Sequence, residues 1–238
     1  MALEYKGLDF ESIEGLSRHN RERLLKVNPR AEVPALLDDD ICVVNSSEIL
    51  AFLEHKYPAR PIYPKGLNAC VVARALERMA DTAIDAIILN CSIWTWAIRE
   101  DKEPPGLKEC GQRDLDAIFA RIEAMLGDFD TPLPFGHLTV AEFALWPHLT
   151  ALRSMGLTLD ASKYPRLHAW FIAMREHKTC LDDAQRTTNF MKTLKTNDEI
   201  ERTKLFWRGD RVEWLLARGF HDWFYGEIKA GRVLWPEY

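Results

Sequence analysis

Two short stretches of this 238-residue chain carry residue types suited to holding a small peptide-like anion. The first is Val33-Pro34, at the mouth of an apolar run that reaches Leu37. A proline there cannot donate to a β-ladder, so it belongs at a sheet edge or at the first position of a strand. The X-Pro bond is also a candidate for the cis form, which is kept for tight local geometry. The backbone of Val33 is then open to an extended ligand. The second stretch is Asn45-Ser46-Ser47-Glu48, followed by Ile49, Leu50, Phe52 and Leu53 at helical spacing. Asn45 or Ser46 therefore stands at a helix N-terminus, where unpaired N–H groups and the helix dipole favour a carboxylate.

Other chemistries leave weaker traces. Five cysteines, Cys42, Cys70, Cys91, Cys110 and Cys180, form no C-x-x-C pair, and seven histidines form no H-x-x-x-H pair. No metal site is expected, and a dispersed, odd set of thiols suits a reducing cytoplasm. Cys42, inside a strand, and Cys91, inside an apolar helix, read as small core residues. The net charge of −5 argues against nucleic-acid or anionic-membrane partners. The basic cluster from Arg18 to Arg23 reads as a solvated face, with a phosphate-binding arm as the alternative. The charged start lacks the apolar region of a signal peptide. The most apolar window, Ala83 to Ile98, contains Asp85 and Asn90 and is too short to span a bilayer. A cytoplasmic location is expected.

The elements around the two stretches follow from pattern. Asp38-Asp39-Asp40 separates the Val33–Leu37 run from Ile41–Val44, which predicts a hairpin. Pro58, Pro61, Pro64 and Gly66 make a linker, and helical periodicity dominates beyond it. Leu76, Ala80, Ala83, Ile87, Cys91 and Trp94 predict one long helix ended by Pro104-Pro105-Gly106, and Leu115, Ile118, Ile122 and Met125 predict the next. Thr139 and Glu142 form a capping box, with Leu138 and Phe143 as its hydrophobic staple. Pro147 should kink that helix, its lost hydrogen bond costing about 3 kcal/mol. Tyr164-Pro165 opens a helix bearing Leu167, Trp170, Phe171 and Met174. From about Thr188 the tail carries four of the eight tryptophans, and Val212, Leu215, Leu216, Phe220 and Phe224 predict one or two further helices. That tail either packs on the helical body or forms a lid over an apolar pocket.

The string Asn28-Pro29-Arg30-Ala31-Glu32-Val33-Pro34-Ala35-Leu36, then Asn45-Ser46-Ser47-Glu48-Ile49, closed by Tyr57-Pro58, resembles the cytosolic glutathione transferases. The resemblance implies an α+β two-domain fold. An incomplete thioredoxin-like N-terminal domain (1–66) precedes an all-helical C-terminal domain (67–187), with the aromatic helical extension (188–238) beyond. It implies that glutathione is the co-substrate, without a metal. Val33 and Pro34 would bind its cysteinyl unit, and Asn45 and Ser46 its γ-glutamyl carboxylate; Asn45 stands where an acidic residue or glutamine is usual. Asp81 would meet the glutathione amine, or else be surface charge. Ile93, Trp94 and Trp96, with Trp223 from the tail, would wall the site of a small hydrophobic electrophile, core packing being the alternative for the tryptophans.

Ala2 to Glu11 looks like the end of the family's first helix, with Gly7 at C′ and Lys6 in the last turn, and the start of its second strand. The family's first strand, and the Ser, Tyr or Cys that faces the thiol, would then lie before Met1. The chain reads as an N-terminally shortened member, and no catalytic residue is assigned within it. A lost central strand leaves unpaired ladder groups, so either poor solubility or a replacement for that strand is expected. Three functions follow from the resemblance: conjugating glutathione to, or using it to process, a small apolar electrophile; a non-catalytic binding or scaffold role; and a glutathione-dependent isomerase or dehalogenase. A homodimer is expected in each case.

Overall fold

The structure is a computed structural model that describes residues 1–15, 17–129, 131–194, 196 and 200–235. It has a small α+β front and a helical back. Helix α1 (Ala2–Lys6) ends at Gly7, whose φ of 72° only glycine adopts without strain and whose N–H donates to the Glu4 carbonyl. The buried Lys6 ammonium donates to Glu54 Oε2 at 3.0 Å and to the carbonyls of Tyr57 and Arg60 at 2.8 Å. Its charge is thereby matched by one carboxylate, and three donors find three acceptors where the chain leaves helix α3 (Ser46–Lys56). Helix α2 (Arg21–Val27) carries part of the basic cluster and buries Leu24.

Strands β1 (Ala35–Asp38) and β2 (Ile41–Val44) form the expected antiparallel hairpin, pairing Ala35 with Val44 and Asp38 with Ile41. The turn places Asp39 at a φ of 53°, which aspartate tolerates better than most residues. Two expectations are corrected in this part of the chain. Residues 8–13 form no strand; Phe10 is 46% exposed, and no ladder partner lies beside it among the described residues. Cys42 is exposed on β2 rather than part of the core, because a two-stranded hairpin leaves most of its outer face uncovered. A bridge from Ser17 to Ile200 brings the tail against this front region.

The helical body begins with α4 (Leu67–Met79), a π-helical turn (Ala80–Ile84) and α5 (Asp85–Trp96). The single long helix expected from periodicity is thus interrupted by a wider turn, and it stops at Trp96, ahead of Pro104. Helix α6 (Leu107–Met125) approaches α5 closely at Gly111, where a Cβ would stand 2.7 Å from Cys91 Sγ. Helix α7 (Val140–Ala151) is buried over most of its length and runs on through Pro147 to Ala151. The Thr150 hydroxyl donates towards the Trp146 and Pro147 carbonyls, next to the break in the ladder. Helices α8 (Pro165–Glu176) and α9 (Lys178–Leu194) follow, α9 passing continuously through residue 188. Trp146, Trp170, Phe119, Leu115 and Ile122 are enclosed between these helices.

The tail forms two helices, α10 (Gly209–Ala217) and α11 (His221–Lys229), between short parallel strands β3 (Leu205–Phe206) and β4 (Val233–Leu234). Ionic contacts fix it to the body at three places. Asp85 takes Arg208 at 2.8 Å and Arg211 at 2.7 Å; Asp114 takes the Trp214 indole N–H at 2.9 Å together with Arg218; and the buried Glu227 takes Arg99 at 2.9 Å with Arg232. Among the described residues no helix is long and apolar enough to cross a membrane.

Candidate functional site

The edge and the helix tip meet. The Val33-Pro34 bond is cis, and Pro34 lies immediately before β1. Its carbonyl accepts the Asn45 N–H at 3.3 Å, tying the proline to the residue that opens α3. Val33, 46% exposed, takes no part in the hairpin ladder and lies beside that junction. Asn45 has a φ of 76° and turns its side chain back to accept the Ser47 N–H at 3.0 Å. This cap satisfies one of the helix's first donors and leaves the end of the dipole uncovered. The Ser46 hydroxyl, half-buried at the first helical position, has no hydrogen bond among the described residues.

Asp81 comes to the same corner from the helical body. Its Oδ2 accepts the Ser47 hydroxyl at 3.0 Å, and burial raises its pKa, against the pull of Ser47 and Arg208. The wider π turn that contains Asp81 turns its backbone carbonyl to Arg208 Nη2, 2.6 Å away, and interruptions of this kind recur at functional sites. Four of the sequence-derived binding residues, Val33, Pro34, Asn45 and Ser46, therefore form one continuous corner, with Asp81 linked to it through Ser47.

The residues expected to wall an acceptor pocket lie elsewhere. Ile93 is fully enclosed in the core. Trp94 and Trp223 pack ring to ring, centroids 5.6 Å apart, with the Arg99 guanidinium over both. The Trp96 indole N–H donates to Ser92 Oγ at 3.1 Å. None of the four lines the cavity of about 850 Å³ that opens beside the tail. That cavity is bounded by Trp207, Val212, Leu216 and Trp235 of the tail, and Arg208 and Arg30 also line it. Arg30 stands in the loop before the cis-proline, and Arg208 holds Asp81, so the cavity adjoins the corner through both.

Sequence reasoning named Ser47 and Arg30 within longer stretches without a role of their own, and it did not reach Arg208. Ser47 was within reach, since the second residue of a helix donates its N–H to the cap and leaves its hydroxyl for a neighbour. Arg208 lies 127 residues from the carbonyl it holds, and no periodicity records such a pairing. Among the described residues no group of histidines, cysteines and acids is placed to hold a metal.

Comparison with known proteins gives two profile matches: the glutathione S-transferase N-terminal domain over residues 1–61 and its C-terminal domain over residues 71–173. A zeta-class glutathione S-transferase of Euphorbia esula is 27% identical over 192 residues, covering 78% of this chain and 84% of that protein. A maleylacetoacetate isomerase of Pseudomonas aeruginosa is 29% identical over 182 residues, covering 70% and 80%. A glutathione S-transferase of Methylobacterium radiotolerans, solved in complex with glutathione sulfonate, superposes with a TM-score of 0.60 at 25% identity, over 76% of this chain and 85% of that one.

Proposed function

This chain belongs to the glutathione S-transferase family, and from that premise we propose how it holds glutathione and what it does with it. The tripeptide lies along the corner. The Val33 backbone pairs with its cysteinyl unit, the Ser46 hydroxyl and the α3 tip take its γ-glutamyl carboxylate, and Asp81 faces its ammonium. The observation that carries this reading is the 3.3 Å hydrogen bond from Asn45 N–H to the Pro34 carbonyl, which ties the edge directly to the helix tip. A carboxylate there gains charge-assisted hydrogen bonds and the field of the helix terminus.

The acceptor is a small apolar electrophile seated in the adjoining cavity, against Trp207, Val212, Leu216 and Trp235. Glutathione is joined to it, or is used to process it. The likeness to the P. aeruginosa isomerase favours a second reading, in which the sulfur adds to an unsaturated substrate, permits rotation and leaves again. The protein acts in the cytoplasm as a homodimer, with the division near residue 66 separating the glutathione-binding part from the helical part.

Calorimetry with glutathione, followed by turnover of a model aryl halide and of a cis-configured unsaturated acid, tests this. Binding with turnover of either substrate supports the respective reading. Binding without turnover of both leaves a glutathione-binding module. Absence of binding removes the corner from the function.

A further inference from the structure

Beneath the α3 tip lies a charged side chain that the function proposed above does not use. Glu77, in the last turn of α4, is 2% exposed, and its Oε1 is enclosed without a hydrogen-bond partner among the described residues. Four residues further on is Asp81, whose Oδ2 accepts the Ser47 hydroxyl at 3.0 Å. Glu77 also lies against Ser47, so both carboxyls converge on one hydroxyl. That hydroxyl has a single proton to donate, and Asp81 receives it. An enclosed carboxylate with an empty oxygen is expensive, and a second carboxylate close by makes it more so.

The groups facing Glu77 set one cation against two acids. Helix α3 contributes Ser47 and the acidic Glu48; the linker contributes Tyr63; Glu77's own helix contributes Arg74, and the π turn Asp81. The Arg74 guanidinium sits over the Tyr63 ring, 5.8 Å from its centre. Asp81 in turn faces Ser47, Arg208, Asp85 and Arg78. Burial raises the pKa of both carboxyls, in keeping with this arrangement.

We propose that Glu77 and Asp81 hold one proton between them across Ser47 in the unliganded protein, and that the ammonium group of a γ-glutamyl ligand expels it. The proton passes from the carboxyl pair to bulk buffer, and the ammonium takes its place as counter-charge, so the net charge at the pair is unchanged while the γ-glutamyl carboxylate is met by the α3 tip. Glu77 is a positioning residue here: it acts on Asp81 rather than on the ligand. The inference rests on the glutathione reading above and adds to it a dependence on pH. Affinity rises as pH climbs through the titration of the pair, because only the ionised pair receives the ammonium.

The test uses S-methylglutathione, whose blocked sulfur removes thiol ionisation from the proton count. Calorimetric titration in buffers of different ionisation enthalpy, between about pH 5 and pH 8, reads protons released per ligand bound. The wild-type chain should release close to one proton at the lower end of this range and progressively fewer at the upper end. Glu77→Gln should reduce the release to less than about half and flatten the pH dependence of Kd. Release below about 0.2 proton throughout, or a Glu77→Gln chain that releases as much as wild type, overturns the proposal. The wild-type titration decides alone if the variant does not fold. Binding that Ser46→Ala weakens but that carries no proton overturns the Glu77 role only; absence of binding overturns the glutathione reading with it.

Discussion

The N-termini of α3 and α7 start from the same physics and end in opposite conditions. At α7 every donor is answered inside the protein. Glu142 Oε2 accepts the Thr139 N–H at 2.7 Å and the Thr139 hydroxyl at 2.6 Å, Thr139 Oγ1 accepts the Ala141 N–H, and the Trp170 indole N–H reaches Glu142 Oε1 at 2.8 Å. Thr139 and Glu142 are completely buried. At α3, Asn45 caps a single N–H and is itself exposed, and Ser46 keeps its hydroxyl uncommitted. One tip is closed with the chain's own carboxylate; the other has no such carboxylate, and in the function proposed above it takes one from glutathione. A helix N-terminus becomes a binding site when its capping is incomplete and its surroundings are open, not by its dipole alone.

The largest effect should come from opening the closed tip. Glu142→Ala leaves the Thr139 and Trp170 donors buried and unanswered, and should lower unfolding free energy by about 3–5 kcal/mol in denaturant melts. A change under about 1 kcal/mol would mean that the α7 tip is not the structural half of the contrast.

The second effect is a pH dependence. Burial pushes the Glu142 carboxyl up to about 7, against the pull of its donors. Between its unfolded value and about 7 the folded state then binds more protons than the unfolded state. Stability contributed by this group is complete below that window and is lost as pH rises through it, on the order of 3 kcal/mol. Glu142→Gln should flatten the slope in melts at a series of pH values; an equal slope in both proteins would assign it to other groups.

At the open tip the effect moves from stability to binding. Ser46→Ala should weaken glutathione by about 1–3 kcal/mol, roughly five- to hundred-fold in Kd, with the melt shifted by under about 0.5 kcal/mol. An unaltered Kd would take Ser46 out of the recess. The smallest effect belongs to the cap. Asn45→Ala removes the bond to Ser47 and places a Cβ-bearing residue without a local hydrogen bond at positive φ, at about 1–2 kcal/mol of stability. Asn45→Gly should recover most of that loss, since glycine accepts the backbone angle. Equal losses for the two would show that the side-chain bond, not the backbone, sets the value.

Both tips were legible in the chain because caps are local. Thr139 and Glu142 lie three residues apart, Asn45 through Glu48 adjoin a helical pattern, and Gly7 follows Lys6; each reading needs only near neighbours. The cis bond and the hairpin were legible for the same reason. The walls of the cavity were not. Trp94, Trp96 and Trp223 share their aromatic character with Trp207 and Trp235, and the choice between the two sets depends on where α10 docks. Docking buries Trp214, Leu215 and Phe224 in the core and pairs Asp85, Asp114 and Glu227 with arginines more than a hundred residues away. The π turn at Asp81 left no mark either, because Ala80 to Ile84 continues the apolar spacing of a plain helix.

Arg208 links the two regions: it borders the cavity, and it donates to the Asp81 carbonyl. An occupant that pushes on this guanidinium alters how Asp81 is presented, and a ligand held by Asp81 alters where the guanidinium rests. Thermodynamic reciprocity then requires each partner to change the other's affinity by the same factor. Saturating one should shift the half-saturation point of its companion, and an arginine contributed by the tail sets the size and sign of that cross-talk.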